Sequence, residues 1–137
     1  MLRAAILGLA LATGVTLPAL AHFQELLPSA DVLPEGGTVT LDLVFTHPMD
    51  RGPQMEMKRP ARFGMVMGGK VTDLSSSLIE TLDGGRSAWR ASADLKTPGA
   101  AIFFVEPQPY WEPTEGKFIV HYTKVVVDSF ASGEGWD

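Results

Sequence analysis

From Thr38 to Phe45 the chain alternates cleanly. Val39, Leu41, Leu43 and Phe45 fall on one side, and Thr38, Thr40 and Asp42 on the other. Period two with β-branched residues predicts a half-buried strand. Arg86 to Leu95 repeats the pattern, with Trp89, Ala91, Ala93 and Leu95 facing in and Ala88, Arg90, Ser92 and Asp94 facing out. Ala100 to Glu106 is the most apolar run of this kind and suits the centre of a sheet. Arg62–Met67, Lys70–Leu74 and Leu78–Leu82 predict shorter strands, and Phe118–Phe130 a last strand or strand pair. Gly68-Gly69 is a two-residue hairpin signal, and Pro34–Gly37, Asp83–Gly85 and Lys96–Gly99 are further turns.

Three stretches break the pattern. Phe23–Pro34 reads as an irregular lead-in. Thr46–Ala61 holds Pro48, Pro53 and Pro60, a spacing that no helix survives, and so predicts a long loop of the kind that carries function. Pro107–Pro113 predicts a rigid aromatic loop. There are no heptads, no internal repeat and no amphipathic helix. Seven or so short strands separated by glycine and proline turns predict an all-β domain, an immunoglobulin-like antiparallel β-sandwich.

Ahead of the strands lies a different pattern. Arg3 gives one positive charge, Ala4 to Leu17 is an almost unbroken apolar run, Pro18 ends it, and Ala19-Leu20-Ala21 has the A-x-A form of a cleavage site. This is the layout of a secretory signal peptide. It divides the chain into a leader at 1–21, a β-sandwich domain at 22–131, and a tail at 132–137 that reads as truncated or as the start of a further region. No later apolar stretch approaches the ~20 residues of a membrane-spanning helix. The expected product is a soluble, exported, periplasmic chain with no transmembrane helix.

Composition narrows the chemistry. The formal charge is −5, and loss of Arg3 with the leader makes the exported chain one unit more acidic. With no basic run, nucleic acid is a poor partner, because phosphate neutralisation supplies most of that affinity. Cysteine is absent, which removes disulfides, thiolate zinc sites, iron–sulfur clusters and cysteine nucleophiles. Any metal must be held by nitrogen, carboxylate or thioether.

Cleavage after Ala21 would make His22 the first residue. A terminal amine has a pKa of roughly 7.7–8.0 and gives up its proton near neutrality far more readily than a lysine. Amine and imidazole of one residue can then chelate one ion. The other two histidines are His47, where the first strong strand meets the long loop, and His121, on one face of the Phe118–Lys124 strand. Each alone has a plain structural reading, as a loop-start residue or a half-buried imidazole. Together they would form a nitrogen-rich site suited to nickel, cobalt, copper or zinc. Met49, Met55 and Met57 sit in the polar loop as outer or alternative ligands, whereas Met65 and Met67 sit at strand spacing and read as core. Hydrolytic chemistry finds little support. Ser75-Ser76-Ser77 lacks the glycine-flanked elbow of serine hydrolases. Glu106 and Glu112 could form a carboxylate pair, and Tyr110-Trp111 a stacking platform, although a rigid loop capping the sandwich explains all four.

Several motifs, in order, carry a resemblance: Ala-His-Phe at 21–23, Phe-Thr-His-Pro-Met at 45–49, and Met-x-x-Pro-x-x-Phe-Gly at 57–64. Glu-Pro-Gln-Pro-Tyr-Trp-Glu-Pro follows at 106–113, Phe-Ile-Val-His-Tyr-Thr-Lys at 118–124 and Gly-Trp-Asp at 135–137. The chain resembles the periplasmic accessory proteins of nickel/cobalt uptake transporters of the energy-coupling-factor type, a family of unknown function. That resemblance implies an exported β-rich protein handling nickel or cobalt beside a membrane permease. It also implies a further β-rich region after Gly-Trp-Asp that this chain lacks.

The expectation is therefore a non-enzymatic periplasmic protein that binds Ni²⁺ or Co²⁺ through His22, His47 and His121, with Met49, Met55 and Met57 nearby, for a membrane permease. Two rivals stay open. One is a copper carrier or copper histidine-brace oxidative protein, with Tyr110 and Trp111 as its platform. The other is a metal-free β-sandwich interaction module docking through its aromatic loop.

Overall fold

The computed structural model describes residues 23–50, 52–113 and 115–135. The leader assigned to 1–21, the candidate ligand His22 and the last two residues lie outside the described residues. The strands are β1 (Phe23–Pro28), β2 (Val32–Leu33), β3 (Gly37–Thr46), β4 (Arg62–Met67), β5 (Lys70–Asp73) and β6 (Ile79–Asp83). They continue as β7 (Arg86–Leu95), β8 (Gly99–Glu106), β9 (Tyr110–Glu112), β10 (Lys117–Ile119) and β11 (Thr123–Ser129).

One sheet runs β1-β3-β7-β6 and the other β2-β11-β8-β4-β5, with β9 and β10 forming a separate hairpin. All pairings are antiparallel except β2 with β11. The first sheet reproduces the A-B-E-D order of an immunoglobulin domain, and β11-β8-β4 its G-F-C order. The chain is an immunoglobulin-like β-sandwich, as the alternation predicts.

Its core is the pair of inward faces. Val39, Leu41 and Leu43 of β3 and Trp89, Ala91 and Leu95 of β7 meet Phe63 of β4, Ala101, Phe103 and Val105 of β8, and Val127 of β11. Phe63 and Phe103 stack at 6.4 Å between ring centroids. Fully burying one such side chain stabilises by about 1.5–3 kcal/mol, so this layer dominates the fold. The cross-strand ion pairs Arg90–Asp42 (2.5 Å) and Arg62–Glu106 (3.3 Å) are half exposed and contribute only about 0–1 kcal/mol each. At the two-residue turns Gly68-Gly69 and Gly84-Gly85 every φ lies between 54° and 79°, the left-handed values that a primed hairpin turn requires.

Four expectations need correction. Phe23–Pro34 is not irregular: it holds β1 and β2. Pro28 fits because it ends an edge strand, and β1 pairs only with β3. The inward residues of β1 are Gln24 and Leu26, and a buried glutamine hides the alternation. Gln24 is satisfied there, its Nε2 donating to Thr123 Oγ1 at 3.4 Å while that hydroxyl donates to the Gln24 carbonyl at 2.9 Å. Pro107–Pro113 is not all loop, since β9 lies between its prolines. His121 is not within a strand but in the break between β10 and β11. Finally, Ala88 is buried although the alternation points it outward.

After β11 the backbone turns through positive φ at Phe130 and Ala131. The Asp128 carboxylate accepts from Ser132 N (3.1 Å) and Gly133 N (3.2 Å). Ala100 N donates to Glu134 O at 2.8 Å, fastening this segment beside the start of β8.

Candidate metal and ligand site

Three ladders place the candidate residues at one end of the sandwich. Phe23 pairs with Thr46, Arg62 with Glu106 and Thr123 with Val105. The start of β1, the loop from His47 to Ala61 and the segment from Pro107 to Tyr122 therefore share that end. The chain carries His47 and His121 on these two connections, which lie far apart in sequence.

His47 directly follows β3 and is half-buried. Its carbonyl accepts from Gly52 N at 3.0 Å, closing a tight loop. A Cβ on Gly52 would stand 2.7 Å from the Cβ of His47, so only glycine lets the loop press this closely. His121, also half-buried, stacks on Phe23 with ring centroids 5.4 Å apart and planes 23° apart. Phe23 is thus the link: its backbone faces Thr46, the neighbour of His47, and its ring covers His121.

Between the two loops lies a cavity of 320 Å³. Phe45, Met57, Tyr110, Trp111 and Ile119 line it, together with His121. Tyr110 meets Phe45 edge-on at 5.1 Å, and Trp111 meets Phe118 in the same way. Burial pushes the Tyr110 phenol pKa above its ordinary value, and the Glu112 carboxylate adds to the rise. Glu112 is only 5% exposed, whereas Glu106 lies at the surface against Arg62.

The methionines separate by environment. Met57 is buried in the core, and its carbonyl accepts from Trp89 Nε1 at 3.0 Å. Met55 packs against the same core, and its N–H donates to Phe45 O at 2.8 Å. Met49 is 87% exposed. Of the three, Met49 is the most exposed to solvent, Met55 is half-buried and Met57 is buried.

His22, immediately before Phe23, lies outside the described residues. Among the described residues no three His, Asp or Glu side chains gather as a metal-binding group, and no helix is long and apolar enough to cross a membrane. Sequence reasoning missed the cavity, the role of Phe23 and the need for Gly52. Two signals pointed that way: Phe23 stands beside His22, and the Tyr110-Trp111 pair named as a stacking platform lines the cavity.

No curated protein and no solved structure matches the chain significantly. A family model does match, over residues 19–137, and by it the chain belongs to DUF4198, a domain of unknown function.

Proposed function

We propose that this is a periplasmic protein that captures Ni²⁺ or Co²⁺ and presents it to a membrane uptake permease. Cleavage after Ala21 exposes the amine of His22, which chelates together with its own imidazole, and His47 and His121 add ring nitrogens. That donor set suits late first-row divalent ions. The observation that carries the reading is the double engagement of Phe23, which pairs with Thr46 beside His47 and stacks on His121. His22 precedes Phe23 in the sequence, which supports the reading that its donors serve the end of the sandwich that holds His47 and His121. The protein performs no reaction on the ion; it holds cargo.

Calorimetric titration with Ni²⁺ tests this on two exported forms, one beginning at His22 and one carrying an extra glycine ahead of it. The extra residue turns the chelating amine into an amide. Tight binding that weakens sharply with the glycine supports the reading. Equal, weak binding by both forms rejects it in favour of a metal-free interaction module. Co²⁺ and copper run in parallel decide the ion.

A further inference from the structure

The proposed metal capture leaves the cavity beside His121 unused. Its 320 Å³ falls in the range of small-molecule sites, which combine an apolar lining with a few polar groups. A bare hydrated cation gains nothing from apolar walls such as Phe45, Met57, Tyr110 and Ile119. An organic molecule does.

The polar groups on the lining define its chemistry. Gln24, Glu56, Lys58, Gln108 and His121 all border the cavity, and the Glu56 carboxylate is engaged by the Ser87 amide at 3.1 Å. Lys58 enters no ion pair among the described residues. Its neighbours are committed elsewhere: Arg59 lies over the Trp89 ring at 5.0 Å, and Arg62 pairs with Glu106. An uncommitted ammonium at the rim of an aromatic cavity complements a carboxylate attached to a planar or apolar body. Placement beside His121 puts that molecule next to the proposed metal ligands.

We propose that the cavity binds the organic chelator that accompanies the ion, a small α-amino acid with an imidazole or aromatic side chain. Its carboxylate meets Lys58 and its body packs against Phe45 and Tyr110. The inference rests on the metal reading of this end of the sandwich and deepens it: the cargo is a metal chelate rather than a naked ion.

The test titrates the exported protein with Ni²⁺ alone and with a preformed one-to-one complex of Ni²⁺ and L-histidine. The complex is expected to bind roughly tenfold tighter than the bare ion, the worth of one charge-assisted contact. Lys58→Gln removes that gain and leaves bare-ion binding unchanged. Ile119→Trp, which fills the cavity, does the same. Equal affinity for ion and complex overturns the inference and leaves the proposed function standing. Failure of both forms to bind overturns the proposed function, and this inference with it.

Discussion

Phe23 and His121 stack with ring centroids 5.4 Å apart, joining the first residue of the first strand to the break before the last. The same phenylalanine pairs through its backbone with Thr46. Phe23→Leu keeps the strand and removes the stack. Aromatic pairs contribute about 0.5–1.5 kcal/mol beyond simple burial. A loss of that size in urea unfolding is expected, together with a shift of the His121 ring resonances. Unchanged resonances would show that the stack does not position the histidine.

Gly52→Ala tests the pressure on His47. The added Cβ has to displace the His47 side chain, because 2.7 Å is closer than such atoms approach. Overpacking of this kind costs about 1–3 kcal/mol. Nickel binding should weaken more than for Gly69→Ala, which meets nothing. Equal effects on nickel binding would remove His47 from the site.

The methionines divide on stability. Met57→Ala opens a hole in the core and should cost about 2–5 kcal/mol. Met49→Ala, at an exposed position, should stay within about 0.5 kcal/mol. Met57→Leu keeps the volume and should leave nickel affinity untouched, as measured by calorimetry. A large loss of affinity in Met57→Leu would restore that sulfur as a ligand.

Acid should destabilise the fold through two surface carboxylates. The Ser75 hydroxyl and amide hold Asp73 below its ordinary pKa, and the Ser87 amide and hydroxyl do the same for Glu56. A carboxyl lowered by folding stabilises the native state when ionised. That contribution is present above about pH 4 and lost as pH falls through the folded value. Asp73→Asn with Glu56→Gln should flatten the acid limb of urea midpoints measured from neutral pH downward. A limb of unchanged slope would contradict the assignment.

Tyr110 works in the opposite direction. Its phenol is raised first by burial and then by Glu112, so its neutral form is favoured in the fold. The stabilisation is present below about pH 10 and lost as pH rises through the folded value. Ultraviolet titration of Glu112→Gln should bring the phenol down only part of the way, because burial is the larger cause. A complete return to the ordinary value would reverse that order.

Much of the sandwich was legible because its central strands alternate. β3 and β7 bury Val39, Leu41, Leu43, Trp89, Ala91 and Leu95 as their spacing requires. β1 was not legible, because Gln24 takes an inward place that an apolar residue would have marked. The break at His121 follows from where the β8 ladder begins, at Thr123 opposite Val105, which no local pattern encodes. The site was legible only as residue types. Two connections distant in sequence are brought to one end by the order of strands in two sheets, and the cavity between them is a property of that arrangement.

The partnership of β11 with β8 and β2, and of Thr123 with Gln24, has a consequence for the order of folding. Contacts between the two ends of a chain give it a high contact order, and such topologies fold slowly. The strand that closes the second sheet, β11, is made after every other described strand. Until β11 has been made, β8 is paired on one side only, with β4, β2 has no neighbour in the sheet, and Gln24 has no Thr123 to bond. Any step that needs an extended polypeptide therefore meets a chain whose own topology delays closure of the second sheet until β11 has been made.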